Sequence, residues 1–151
     1  MRKILAIDPS TTSIGLAYFY GKELMESLTV KPEGKTVNER MEWVAINWGI
    51  RTCDCMVIEL PWGITGRSAK TMAALNQMLG ILKLFAWQSG CKVVEVFPQT
   101  WPKCCGIKRG TDKKQAAITF AKQMYNADVD SHDEADAICI GHWYVSKPLK
   151  R

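Results

Sequence analysis

Lys3-Ile4-Leu5-Ala6-Ile7-Asp8-Pro9-Ser10-Thr11-Thr12-Ser13-Ile14-Gly15-Leu16-Ala17-Tyr18 is the stretch from which the rest of the chain is read. Its first half is a fully apolar run with β-branched content, the pattern of a central strand buried on both faces. The run ends on a carboxylate, Asp8, which is costly to bury without compensation. Pro9 cannot continue a hydrogen-bonded ladder, so strand pairing stops at Asp8. A turn of small hydroxylated residues follows, and a second apolar stretch leads back. Taken alone, Asp8 reads as a turn residue accepting hydrogen bonds from Ser10 or Thr11. Similar carboxylates further along the chain give it another reading.

Working outward, Ser13 to Tyr20 reads as a second strand, Gly21-Lys22 as a two-residue hairpin connection, and Glu23 to Val30 as a third strand. Three such strands make an antiparallel meander, broken by Lys31-Pro32-Glu33-Gly34. Lys35 to Arg51 has helical period, with Met41, Val44, Ala45 and Trp48 on one side. Cys55-Met56-Val57-Ile58-Glu59-Leu60-Pro61 then repeats the opening device: an apolar strand, a carboxylate at its end, and Pro. A lone Glu at a strand end is usually exposed and idle, but Glu59 sits inside an apolar run. Two carboxylates at the C-terminal strand edge of one sheet suggest a shared site, because ligands bind at that edge in α/β folds.

Ser68 to Ser89 reads as a helix with two apolar stripes. Met72, Leu75, Leu79, Leu82 and Ala86 form one. Ala74, Met78, Ile81 and Phe85 form the other, about 110° around at about 100° per residue. One stripe packs on the sheet. The second calls for another surface, for which a dimer contact is favoured over burial within one chain. Lys92 to Phe97 reads as a strand closed by Pro98, and Gln99 to Gly110 as a loop. Thr111 to Tyr125 reads as a helix with Thr111 as N-cap and Asp112 in its first turn. The last element runs from about Ser131 to Val145.

At 151 residues the chain reads as one domain with room for a real core. Its 47% hydrophobic and 23% charged residues are ordinary for a soluble globular protein. No run reaches membrane-spanning length and no secretory or transit segment is expected. The six cysteines lack the paired C-x-x-C spacing of a zinc site and read as free thiols of a reducing cytoplasm. A net charge of +5 suits an anionic partner. Between Lys103 and Lys114, Lys103, Lys108, Arg109, Lys113 and Lys114 stand against the single acid Asp112, with Lys147, Lys150 and Arg151 further on. Such clustering is either a solvated loop or the footprint of phosphate contacts.

Ser131-His132-Asp133-Glu134-Ala135-Asp136-Ala137-Ile138-Cys139-Ile140 opens with acids and turns apolar. Ser131 is a good N-cap, and acids in a first turn complement the helix dipole. Asp133 and Asp136 share one helix face, and the apolar residues after Asp136 argue against simple exposure. Asp8, Glu59, Asp133 and Asp136 together form a set of carboxylates whose mutual repulsion is relieved when divalent cations sit among them. Oxygen-only ligands select Mg²⁺, with Mn²⁺ as substitute. Two such ions about 4 Å apart can activate water and stabilise the leaving oxygen in phosphodiester hydrolysis.

Ile4-Leu5-Ala6-Ile7-Asp8-Pro9-Ser10, Val57-Ile58-Glu59 and Asp133-Glu134-Ala135-Asp136-Ala137 resemble, in order, the three catalytic motifs of RuvC-type Holliday junction resolvases. The resemblance covers the whole chain. It implies an α/β, ribonuclease H-like fold: one domain over residues 1–151, with a five-stranded mixed sheet (three antiparallel strands plus two parallel) flanked by helices. It implies a homodimeric, metal-dependent endonuclease that makes paired nicks across a four-way junction and leaves 5′-phosphate ends. Asp8, Glu59, Asp133 and Asp136 would hold two Mg²⁺ ions. Trp62 falls where the family places an aromatic that stacks at the junction centre, although it also reads as a core tryptophan. Lys103 and Lys113 approximate two lysines near the scissile phosphate, with Lys114 competing for the role of Lys113. Lys108 and Arg109 complete the expected DNA contacts. The Pro61-Trp62 step and the Cys104-Cys105 pair depart from the bacterial pattern and suggest a divergent, phage-encoded member. No nucleotide cofactor or membrane is expected.

Two other functions compete. Asp8 to Ser13 also resembles the phosphate loop of actin and sugar kinase-type phosphotransferases, which need a second domain and favour Gly where Pro9 stands. A junction-binding module without catalysis is the third.

Overall fold

Apolar strands from both halves of the sequence pair into one sheet, and the direction of each pairing follows from the length of its connection. The computed structural model describes residues 1–49, 51–61 and 66–148. Strand β1 (Lys3–Asp8) pairs antiparallel with β2 (Ile14–Tyr20), and β2 with β3 (Glu23–Val30). The short turns at 9–13 and Gly21-Lys22 permit nothing else, and Gly21 supplies the positive φ of 62° that the tight hairpin uses. Strands β4 (Cys55–Glu59) and β5 (Lys92–Val96) arrive after helical crossovers and add in parallel, giving the order β3-β2-β1-β4-β5. This is the expected mixed sheet of three antiparallel and two parallel strands.

Helix α1 (Val37–Asn47) precedes β4, α2 (Ala69–Gln88) precedes β5, and α3 (Lys113–Tyr125) and α4 (His132–Val145) follow the last strand. Strand alternation separates two cores. Leu5, Ile7, Leu16, Met56 and Ile58 pack against Val44 of α1 and Met78, Leu79 and Leu82 of α2. Ile4, Ala6, Ala17, Phe19, Cys55 and Val57 face the other way, onto Ala117 and Ala121 of α3 and Ala135, Ile138 and Cys139 of α4.

Some boundaries differ from the sequence reading. Helix α1 starts after Thr36, whose side chain caps Glu39 N–H while Glu39 bonds back in a capping box. It ends at Asn47, short of Arg51. Ala45 is exposed, and Trp43 takes the partly buried place expected of it. The N-cap of α3 is Asp112, which accepts from Gln115 N–H; Thr111 instead donates to the Lys108 carbonyl at 2.7 Å, closing the loop before it. Both residues cap well, and the carboxylate takes the site at the positive end of the helix. The loop after β5 contains a single 3₁₀ turn, Pro102–Cys105.

The second stripe of α2 is covered only in part within the chain, with Ala74, Ile81 and Phe85 half-buried. Met78 is buried, and Phe85 stacks on Trp48 with ring centroids 6.5 Å apart. All six cysteines are free thiols, and only Cys104 is exposed. Among the described residues no helix is long and apolar enough to cross a membrane.

Candidate functional site

Parallel register sets the first two carboxylates side by side. Ile7 pairs with Ile58, so Asp8 and Glu59 end adjacent strands at the same level. Alternation turns both toward the face of Ala6 and Val57, which is the face covered by α3 and α4.

The third carboxylate arrives because α4 lies unusually near β2. Gly15 pairs with Asp8, and a Cβ on Gly15 would stand 1.9 Å from the Asp133 carbonyl oxygen. Ser131 caps the helix by accepting from Glu134 N–H, as the sequence predicts. Ser13 Oγ donates to Asp133 Oδ2 at 2.7 Å, and Ser27 Oγ donates to Glu134 Oε1 at 2.6 Å, pinning the first turn of α4 to the sheet. Asp136, one turn on, is largely buried, and its Oδ1 has no hydrogen-bond partner.

Asp8 and Asp136 each stand near enough to Glu59 and Asp133 to feel their charge. Burial holds Asp8 well above the usual carboxylate range, with repulsion from Glu59, Asp136 and Asp133 adding to the rise and Lys113 opposing it. Burial likewise pushes Asp136 up to about 7; Lys113 counters it, Glu59 and Asp133 reinforce it, and Lys114 counters it weakly. Glu59 is raised by burial, against a hydrogen bond from Trp101 and the charges of Lys113 and Arg67. Among the described residues no group of three or more His, Cys, Asp or Glu side chains is arranged to hold a metal ion. The donors are nonetheless of the right chemistry for a hard cation: carboxylate oxygens only, one of them buried and orphaned.

Asp8 does not serve the turn that follows it. Thr12 N–H and Ser13 N–H both donate to Ser10 Oγ, at 3.1 and 3.3 Å, so Ser10 organises the loop and leaves the Asp8 carboxylate to the cluster.

Lys113 opens α3 and places its Nζ 4.4 Å from the centre of the Trp101 ring. It acts electrostatically on Asp8, Glu59 and Asp136, whereas Lys114 reaches only Asp136. That separates the two lysines the sequence could not tell apart. Lys103, Lys108, Arg109 and Lys113 line one groove of about 670 Å³ beside the acids; Lys114 is outside its lining. Trp62, Lys150 and Arg151 lie outside the described residues.

Sequence reasoning missed Trp101, Ser13 and Arg67. Trp101 is fully buried and its indole N–H donates to Glu59 Oε2. A clue existed: a buried indole needs an acceptor for its N–H, and Trp101 lies five residues past Val96, the partner of Glu59 in the next strand.

No protein-family model matches the chain, and no curated protein matches it by sequence. Solved structures do match. Thermus thermophilus RuvC in complex with a Holliday junction substrate superposes with a TM-score of 0.74 at 15% identity, over 95% of this chain and 92% of that one. Another structure of Thermus thermophilus RuvC gives 0.72 at 16% identity, covering 93% and 92%. The Fowlpox virus resolvase in complex with substrate Holliday junction DNA gives 0.60 at 15% identity, covering 94% and 97%. At these identities the likeness is one of architecture, and by that measure this chain has the ribonuclease H-like fold of the RuvC-type resolvases.

Proposed function

We propose that the protein is a metal-dependent, structure-selective DNA endonuclease that resolves four-way junctions, acting as a homodimer in the cytoplasm and leaving 5′-phosphate ends. The observation that carries this reading is the meeting of Asp8, Glu59, Asp133 and Asp136 at one sheet edge, beside a groove lined by four basic residues. The fold it shares with two resolvases captured on Holliday junction DNA supports the choice of substrate.

Asp8, Glu59, Asp133 and Asp136 would hold the cations, Mg²⁺ or Mn²⁺, two to a site. When bound, such ions lower the pKa of a water and neutralise charge on the reacting phosphate. The chain's own residues do the rest. Lys103, Lys108 and Arg109 hold the phosphate backbone in the groove. Lys113 brings a fixed positive charge to the rim of the acidic cluster, where a scissile phosphate would gain negative charge. Ser13 keeps Asp133 in one rotamer by its hydrogen bond.

The phosphotransferase alternative loses its support at the loop. Thr12 and Ser13 amides, which a phosphate cradle would need, are already committed to Ser10 Oγ. A cleavage assay on four-way, three-way and linear DNA with Mg²⁺, Mn²⁺ or chelator tests the proposal. Asp8→Asn and Glu59→Gln are each expected to cut cleavage more than about 100-fold, since several kcal/mol of transition-state stabilisation are lost. Junction binding should persist. Full activity in either purified variant would end the nuclease reading, and intact DNA with every metal would leave a binding module.

A further inference from the structure

Three separate segments meet on one side chain that the metal chemistry does not itself require. Trp101 follows β5 and precedes the 3₁₀ turn; it is 0% exposed. Its edge donates Nε1–H to Glu59 Oε2 at the end of β4, and its face carries the Lys113 ammonium of α3 at 4.4 Å. Opposite charges are therefore held on different sides of one ring. Among the described residues the salt bridges are Arg51–Glu26 and Lys83–Glu95, so Lys113 is close enough to act on the carboxylates without pairing with one.

We propose that Trp101 is the positioning residue of the site: it fixes the Glu59 carboxylate for cation binding and parks Lys113 on its face, so that the lysine does not collapse onto Glu59. The proposal rests on the nuclease reading above. Its logic is that of an outer-shell ligand partner. A carboxylate with one oxygen engaged by a rigid donor loses its rotational freedom before the cation arrives. Indole is suited to this because its N–H only donates, so it orders the carboxylate without competing for the metal. The aromatic face offers an ammonium group an attraction that leaves the carboxylate lone pairs free.

The test is Mn²⁺ affinity of the DNA-free full chain, followed by the electron paramagnetic resonance of free Mn²⁺. Trp101→Phe keeps a ring for Lys113 but removes the N–H. Replacement of Trp101 by benzothienylalanine puts sulfur where the N–H was and preserves the shape, which keeps the test decisive if the Phe variant fails to fold. Each is expected to weaken Mn²⁺ binding roughly 10-fold, the scale of outer-shell losses. In a Glu59→Gln background, Trp101→Phe should add no further loss, because its effect runs through Glu59. Wild-type affinity in the benzothienylalanine protein overturns the role of Trp101 and leaves the nuclease reading intact. So does a loss that is fully additive with Glu59→Gln. Failure of the wild-type chain to bind Mn²⁺ overturns the nuclease reading and this role with it.

Discussion

Asp136 carries a folding penalty that depends on pH, and its sign is fixed by the direction in which burial moves the group. Its ordinary value is 3.8 and burial brings it to about 7 in the fold, so between those values the folded chain holds a proton that the unfolded chain has released. Stability from this group is therefore fully retained below about pH 4 and declines as pH rises, levelling off above about 7. Asp8 moves in the same direction. In chelator, Asp136→Asn is expected to stabilise the protein at pH 8 by up to a few kcal/mol, since each tenfold gain in proton affinity on folding corresponds to about 1.4 kcal/mol. At pH 4 it should be nearly neutral; urea unfolding at both values checks this. Most of the candidate site is readable at this scale. Asp8 and Glu59 stood out because a carboxylate closing an apolar strand before Pro is expensive to bury, and Asp133 and Asp136 because an acidic first turn led straight into core residues. Trp101 was not legible, since its importance lies in the hydrogen bond across 42 residues to Glu59, and sequence reading had singled out Trp62 among six tryptophans.

Helix α4 and strand β2 are fitted to each other by two missing side chains. A Cβ at Gly15 would meet the Asp133 backbone at 1.9 Å, and a Cβ at Gly141 would meet the Phe19 ring at 2.1 Å. Gly15→Ala is expected to cost on the order of 3 kcal/mol, because backbone cannot swing aside as a side chain can. It should also lower cleavage beyond the stability loss by moving Asp133. Gly80→Ala is the control: nothing lies within 4 Å of its Cβ, and the change should stabilise α2 by about 0.5–1 kcal/mol. Thermal melts of the three proteins give the order. Strands were easy to read because Pro, Gly and alternation mark their ends, and β3 and the hairpin fell where expected. Helix ends were harder. Thr111 and Asp112 are both good caps, and the place falls to Asp112 because the Thr111 hydroxyl is engaged by the Lys108 carbonyl. Gly15 and Gly141 gave no local signal, because the close approach they permit is between elements remote in sequence.

Over the whole molecule, Lys113 both lines the basic groove and acts on the acids, so on the nuclease reading proposed above attraction for a phosphate backbone and repulsion from the acids would compete within one surface. Lys108→Ala and Arg109→Ala should each reduce the slope of log affinity against log salt by about 1, with little change in which DNA shape is preferred. A binding titration at several salt concentrations measures it. The division of labour between the halves of the chain was legible as a βββ-α-β-α-β-α-α order; the stacking of Trp48, at the C-cap of α1, on Phe85 of α2 was not. The placement of α4 has a consequence for synthesis. This helix supplies two of the four acids, and it leaves the ribosome after every strand and helix it completes. A nascent or prematurely released copy therefore carries an uncovered sheet face and only two of the four acids until that helix docks.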